Sequence, residues 1–140
     1  MSREKKIEEV VEELKYGHPE TRKAAAIKLG RIRDERVIPY LIQAIKEDDY
    51  SWTRISAIQS LSWIADPSII DPLIDAALHD KDTLVRKTAI EALGNLKNEA
   101  AIEPLNQIVN DPSNPTDVKS SASIAIQVIQ GITPSWSQDS

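Results

Sequence analysis

The chain has 140 residues, 41% of them hydrophobic and 28% charged, with a net charge of −5; this composition fits one compact domain and excludes a disordered chain. It contains no cysteine, which excludes disulfides, zinc–thiolate centres and cysteine nucleophiles. Mild acidity opposes nucleic acid or an anionic membrane as the main partner, and the absence of Phe means that the core must be aliphatic.

The chain opens on MSREKKIEEVVEEL, too charged for a secretory signal. No apolar run along it approaches the ~20 residues of a membrane span, so a cytoplasmic protein without membrane contact is expected. Residues 4–15 place Ile7, Val10, Val11 and Leu14 at helical spacing, a single amphipathic helix. A longer unit follows over residues 18–48. Arg22, Ala25, Ala26, Leu29 and Ile32 share one helical face; after the break RDER, Ile38, Leu41, Ile42 and Ile45 share another. Neither helix can stand alone, so each must bury its apolar face on its mate and on a neighbouring unit.

The same unit recurs over residues 50–80 and 82–111 at a fixed period of 32. Arg22, Arg54 and Arg86 obey it, as do Ala25, Ala57 and Ala89; Leu29, Leu61 and Leu93; Ile38, Ile70 and Ile102; and Leu41, Leu73 and Leu105. Such a period marks a stacked-repeat architecture. Asp34, Asp66 and Asn98 stand at the break, where an acceptor caps the second helix. Pro39, Pro72 and Pro104 sit near that helix's start, where a missing N–H costs least. The loop NDPSNPTD is one residue longer than its counterparts, so the fourth copy is spaced by 33: Val85, Arg86 and Ala89 match Val118, Lys119 and Ala122. Residues 116–130 are a first helix without a second, and residues 4–15 a second helix without a first. Incomplete end copies are usual in stacks, which must cap an open core. The predicted fold is all-α: about four 32-residue pairs of antiparallel helices in one domain, residues 1–131. A Gly-, Pro- and Ser-rich flexible tail with Trp136 follows over residues 132–140.

The segments RKAAAIKLGRIRDERVIPYLIQAI and VRKTAIEALGNLKNEAAIEPLNQIV resemble the short HEAT-like repeats of the phycobilisome-lyase type. The middle copy, TRISAIQSLSWIADPSIIDPLIDAAL, departs from that pattern with Ser62 where the others have Gly30 and Gly94. The resemblance covers about residues 5–130. It implies a right-handed α-solenoid whose second helices line the concave side, a repeat type that serves lyases, chaperones and scaffolds. Tetratricopeptide and ankyrin units fit less well, since the aromatic scaffold of the first and the TPLH turn of the second are absent.

Chemistry-bearing residues are sparse. Arg22, Arg54 and Arg86 lie toward the buried face, and we expect a structural ladder in which they bond cap carboxylates such as Asp34 and Asp66 and nearby carbonyls. The two histidines, His18 and His79, are followed by Pro19 and Asp80 rather than by Glu, unlike the His-Glu pairs of HEAT-like iron hydroxylases. Neither a metal nor a cofactor is expected. No Gly-rich elbow or phosphate loop accompanies the serines, so the chain reads as a non-enzyme.

The second helices carry three ladders opposite their buried stripe: Glu9, Tyr40, Pro72 and Pro104; Glu12, Gln43, Asp75 and Gln107; Tyr16, Glu47, His79 and Asp111. Five of these twelve positions are acidic and none is Lys or Arg. The expected function is therefore a protein-interaction scaffold that binds a basic or mixed segment of another protein on an acidic concave face. The alternative, which the resemblance permits, is a bilin lyase or chaperone-like subunit acting on phycobiliproteins; nucleic-acid binding is disfavoured. Trp52, Trp63 and Arg31 form a secondary patch, in which Trp52 covers the joint between repeats or reaches a ligand, and Trp63 stacks on Arg31 or marks a second contact surface. In the last helix, Val118, Ala122, Ala125 and Ile129 face inward while Ile124 and Val128 point elsewhere, an apolar surplus expected to support weak homodimerisation.

Overall fold

The computed structural model describes residues 2–132; the tail from residue 133, with Trp136, lies outside the described residues. Eight helices follow one another: α1 (Arg3–Tyr16), α2 (Pro19–Ile32), α3 (Ile38–Glu47), α4 (Ser51–Ile64), α5 (Ile70–His79), α6 (Thr83–Leu96), α7 (Ile102–Asn110) and α8 (Thr116–Ile129). No strand occurs among the described residues. The helices group into two compact units that divide within α5, between Pro72 and Leu73.

In the first unit α2 packs along α4, α1 lies against α2, and α3 lies against α4. In the second, α8 packs on both α6 and α7. The repeated columns build the core of each. Ala25, Leu29, Leu41, Ala57 and Leu61 in the first unit, and Leu73, Ala89, Leu93 and Leu105 in the second, are all 0% exposed. Each buried Leu contributes about 1.5–3 kcal/mol of apolar burial.

The break between paired helices has one geometry in all three copies. The first helix ends in a left-handed residue, Arg33, Ala65 or Lys97, at φ 54 or 55°. A 3-10 turn follows, Glu35–Val37, Pro67–Ile69 or Glu99–Ala101, and runs straight into the second helix. Asp34, Asp66 and Asn98 cap this turn: their side chains accept from the N–H groups of Arg36, Ser68 and Ala100, each at 2.9 Å. The cap expected on the second helix thus sits one 3-10 turn upstream of it. Pro39, Pro72 and Pro104 fall in the first turn of α3, α5 and α7, where no intrahelical N–H is needed.

Asp34 is held more firmly than its counterparts. Arg36 turns back on it through Nε and Nη2 at 3.0 and 2.7 Å, and also reaches Glu4 of α1 at 3.1 Å. These hydrogen bonds and the guanidinium charge lower the Asp34 carboxyl to about 2.

Close approach sets the spacing of the first helices. A Cβ on Gly30 would fall on the Ser60 side chain and lie 2.8 Å from its Cα. Ser60 is 0% exposed and its hydroxyl donates to the Ala26 carbonyl at 2.8 Å. In the second unit a Cβ on Gly94 would meet Ala125 Cα and Cβ at 3.1 Å.

Three outcomes are expected from this geometry. Gly30→Ala destabilises the protein by about 1–3 kcal/mol in chemical denaturation, since overpacking outweighs the better helix propensity of Ala; Ser60→Gly in the same chain recovers part of the loss, and an unchanged midpoint for Gly30→Ala would refute the close approach. Ala65→Gly stabilises by about 1 kcal/mol despite a more flexible unfolded chain, because Ala is strained at positive φ; destabilisation in the same assay would contradict the left-handed turn. Asp34 is charged above the ordinary Asp value near 3.9, so its contribution is complete above that pH and is lost as pH falls toward about 2. Asp34→Asn keeps the capping oxygen, as Asn98 does, and flattens the acid limb of the thermal midpoint between pH 5 and 2; parallel limbs would show that the charge is idle.

Candidate partner-binding site

The loops that join successive units are fixed by carboxylates. Asp48 and Asp80 accept from the N–H two residues on, Tyr50 and Asp82, each at 2.9 Å. Asp111 does the same with Ser113, at 2.9 Å from N–H and 2.7 Å from Oγ. The repeated arginines anchor to these loops and not to Asp34 or Asp66, which are turned to their own 3-10 turns. Arg22 donates from Nε to Asp48 at 3.0 Å, from Nη2 to Asp49 at 2.9 Å and from Nη1 to the Gly17 carbonyl at 2.9 Å. Arg54, 4% exposed, donates to the Asp48 carbonyl at 2.9 Å. Arg86 reaches the Asp80 carbonyl at 2.9 Å and Thr83 Oγ1 at 3.2 Å, but its buried Nε has no partner among the described residues. The position 32 residues after Asp80 is Pro112, which brings no carboxylate.

In the first unit the second-helix face holds a groove of about 360 Å³ between α1 and α3. Leu14 and Ala44 form its floor, and Tyr16, Tyr40, Gln43 and Glu47 line it. Four of the sequence-predicted residues therefore meet in one place. Tyr16, the last residue of α1, is 78% exposed. Gln43 donates to Glu47 at 3.1 Å, one helical turn on. The face is less acidic than the ladders imply, because Lys15 lies in the same groove with its ammonium 5.2 Å from the centre of the Tyr40 ring. A ladder marks where a residue starts; Lys15 starts beside the ladder, and its four-carbon stem carries the charge across to the next helix.

The other predicted residues are spread. Glu12 is exposed on α1, and Glu9 faces a different groove, between α1 and α2. In the second unit Asp75 and His79 are exposed on α5 and Gln107 on α7. Asp111 follows the end of α7, and the Ser113 hydrogen bonds hold its carboxyl below the usual range. That residue belongs to the loop more than to the helix face.

Trp52 lies at the α2–α4 joint, with Lys23 5.6 Å from its ring centre, while the Tyr50 hydroxyl donates to Glu20 at 2.6 Å. Trp63, 42% exposed, has no cation over its ring among the described residues, so the expected stack on Arg31 does not form. Ile124 and Val128 turn toward Gly94 and Asn95 in a groove between α6 and α8. Part of the apolar surplus of the last helix is thus directed at α6, and Ile124 stays 39% exposed. Among the described residues no three or more His, Cys, Asp or Glu side chains converge as a metal-binding group, and no helix is long and apolar enough to cross a membrane.

Comparison with known proteins agrees with the repeat geometry. The profile of HEAT repeats matches residues 1–62 and 52–127. No curated protein matches the chain in sequence. Among solved structures, human deoxyhypusine hydroxylase superposes with a TM-score of 0.76 at 24% identity, over 94% of this chain and 48% of that one, a likeness of fold alone. The chain therefore spans about half the length of that protein. The complex of CpcE and CpcF of phycocyanin lyase from Nostoc superposes with a TM-score of 0.66 at 30% identity, over 91% of this chain and 79% of that one. With the profile spanning nearly all of the described helices and the lyase complex sharing both fold and sequence, the chain belongs to the HEAT-repeat family and is a HEAT-like repeat protein of the phycobilisome-lyase type.

Proposed function

We propose that this chain is a non-enzymatic protein-binding module that grips a segment of another protein on its second-helix face. The observation that supports this most is the α1–α3 groove, where two helices bring Tyr16, Tyr40, Gln43 and Glu47 together over an apolar floor. Tyr supplies contact area with few rotors to freeze, and Gln and Glu supply adjacent hydrogen-bonding groups. Exposed Glu12 and Glu47 favour basic groups on the partner, while Lys15 beside Tyr40 favours one acidic or carbonyl contact. The bound segment is therefore mixed in charge with a basic excess.

Affinity capture from native lysate tests this directly. The wild type is expected to enrich a partner that the double variant Glu12→Lys, Glu47→Lys recovers about tenfold less, a difference of about 1.4 kcal/mol. Equal recovery by both, with both folded by circular dichroism, would remove the face as the docking site.

A second reading rests on the likeness to the phycocyanin lyase complex. In it the chain is a lyase or chaperone-like subunit acting on phycobiliproteins, and the same groove meets the protein substrate. Mixing the chain with bilin and apo-phycobiliprotein separates the readings: a shift in bilin absorbance supports the subunit, and an unchanged spectrum favours the binding module.

A further inference from the structure

The edge formed by α1 and α2 carries a second groove, of about 900 Å³, whose charge is opposite to that of the chain as a whole. Four cations line it, Arg3 and Lys6 from α1 and Lys28 and Arg31 from α2. Val10 and Ile32 contribute apolar surface, and Glu9 and Glu13 are its only carboxylates. Lys28 pairs with Glu13 at 3.6 Å, and Arg3 lies 3.8 Å from Asp34. Lys6 and Arg31 form no ion pair among the described residues.

The repeat explains what the groove is shaped to hold. α1 has the register of a second helix. One copy later, α4 turns Ser60 toward α2 and meets Gly30 there. Thirty-two residues before Ser60 and Trp63 stand Lys28 and Arg31, so these two lie on the face of α2 that a preceding first helix would cover. A helix docked there cannot come as close as α4 comes to α2, because Lys28 replaces the small Ser60. It stands off by the length of the Lys and Arg side chains and meets their charges.

We propose that this groove binds an acidic amphipathic helix of a partner protein, which lies along the Lys28–Arg31 face of α2 as α4 does along the Gly30 face. Its apolar stripe faces Ile32 and the aliphatic stems of Lys28 and Arg31, and carboxylates one turn apart on its flank pair with Lys6, Lys28 and Arg31. The last helix of a second copy is a poor occupant. Its leading face is Ser120, Ser123, Ile124 and Gln127, with no carboxylate, and Gln127 stands in the register of Gly30 and Gly94. A phosphate backbone fits less well than a helix because Glu9 and Glu13 would face it. This site lies apart from the α1–α3 groove and does not depend on it.

The test uses two synthetic helices of 14 residues, the length of α2 and of α4, with one Leu/Ala stripe and flanking Glu in one peptide, Lys in the other. Fluorescence anisotropy is expected to show the Glu helix binding about tenfold tighter than the Lys helix. The double variant Lys6→Glu, Arg31→Glu should invert that order, with an unchanged thermal midpoint confirming the fold. Amide shifts on titration should centre on Lys6, Val10, Lys28 and Ile32; shifts centred on Tyr40, Gln43 and Glu47 would place binding in the other groove and overturn the assignment. No saturable binding, equal binding of both helices, an unaltered order in the double variant, or tighter binding of a short DNA duplex to the same amides would each overturn it as well.

Discussion

How closely two first helices can approach decides the rest of this structure. Gly30 against Ser60 leaves no room for another carbon, and Gly94 against Ala125 would admit one only if Ala125 shifted. Helices held that close exclude water from the aliphatic columns at Leu29, Leu61 and Leu93, which are 0% exposed. A chain with no Phe needs that intimacy, since its core is built from small and branched side chains that fill space only at short helix separations. Within each unit the second helices pack against the first helices. Their remaining face is what the protein offers to others.

Much of this was legible in the sequence because the relevant signals are periodic. Alternation at helical spacing locates each helix, and the 32-residue repeat of Arg, Ala, Leu and Ile aligns the copies. The caps Asp34, Asp66 and Asn98 were placed at the break, although the 3-10 turn between cap and second helix was not foreseen. Three left-handed residues escaped notice because none is Gly: Arg33, Ala65 and Lys97 share a conformation without sharing a side-chain type. The partner of Arg22 escaped for a different reason. Asp48 lies 26 residues away in sequence, beyond the nearer carboxylate Asp34. Only the fold chooses between them.

The same limit applies to the faces. Four ladder residues, Tyr16, Tyr40, Gln43 and Glu47, line one groove. The ladders said nothing of Lys15, whose charge arrives from a neighbouring position, nor that Glu9 serves the other side of α1 among four cations. Net charge averages over these places. A chain at −5 thus presents one helix, α1, with opposite electrostatic characters on its two flanks. Such a helix can discriminate between partners by charge without any change in backbone.

Arg86 bears on how the second unit comes apart. In the first unit the loop carboxylate Asp48 clasps Arg22, but Pro112 occupies the matching place after α7, and Arg86 keeps a buried Nε with no partner among the described residues. An unsatisfied donor of that kind costs about 1–3 kcal/mol against a bonded one. The cost is recovered whenever water enters, so opening beside Arg86 needs less free energy than opening beside a clasped arginine. Local fluctuations should therefore begin around Arg86, at the start of α6, and a protease or an amide-exchange experiment would find this place before it found the rest of the unit.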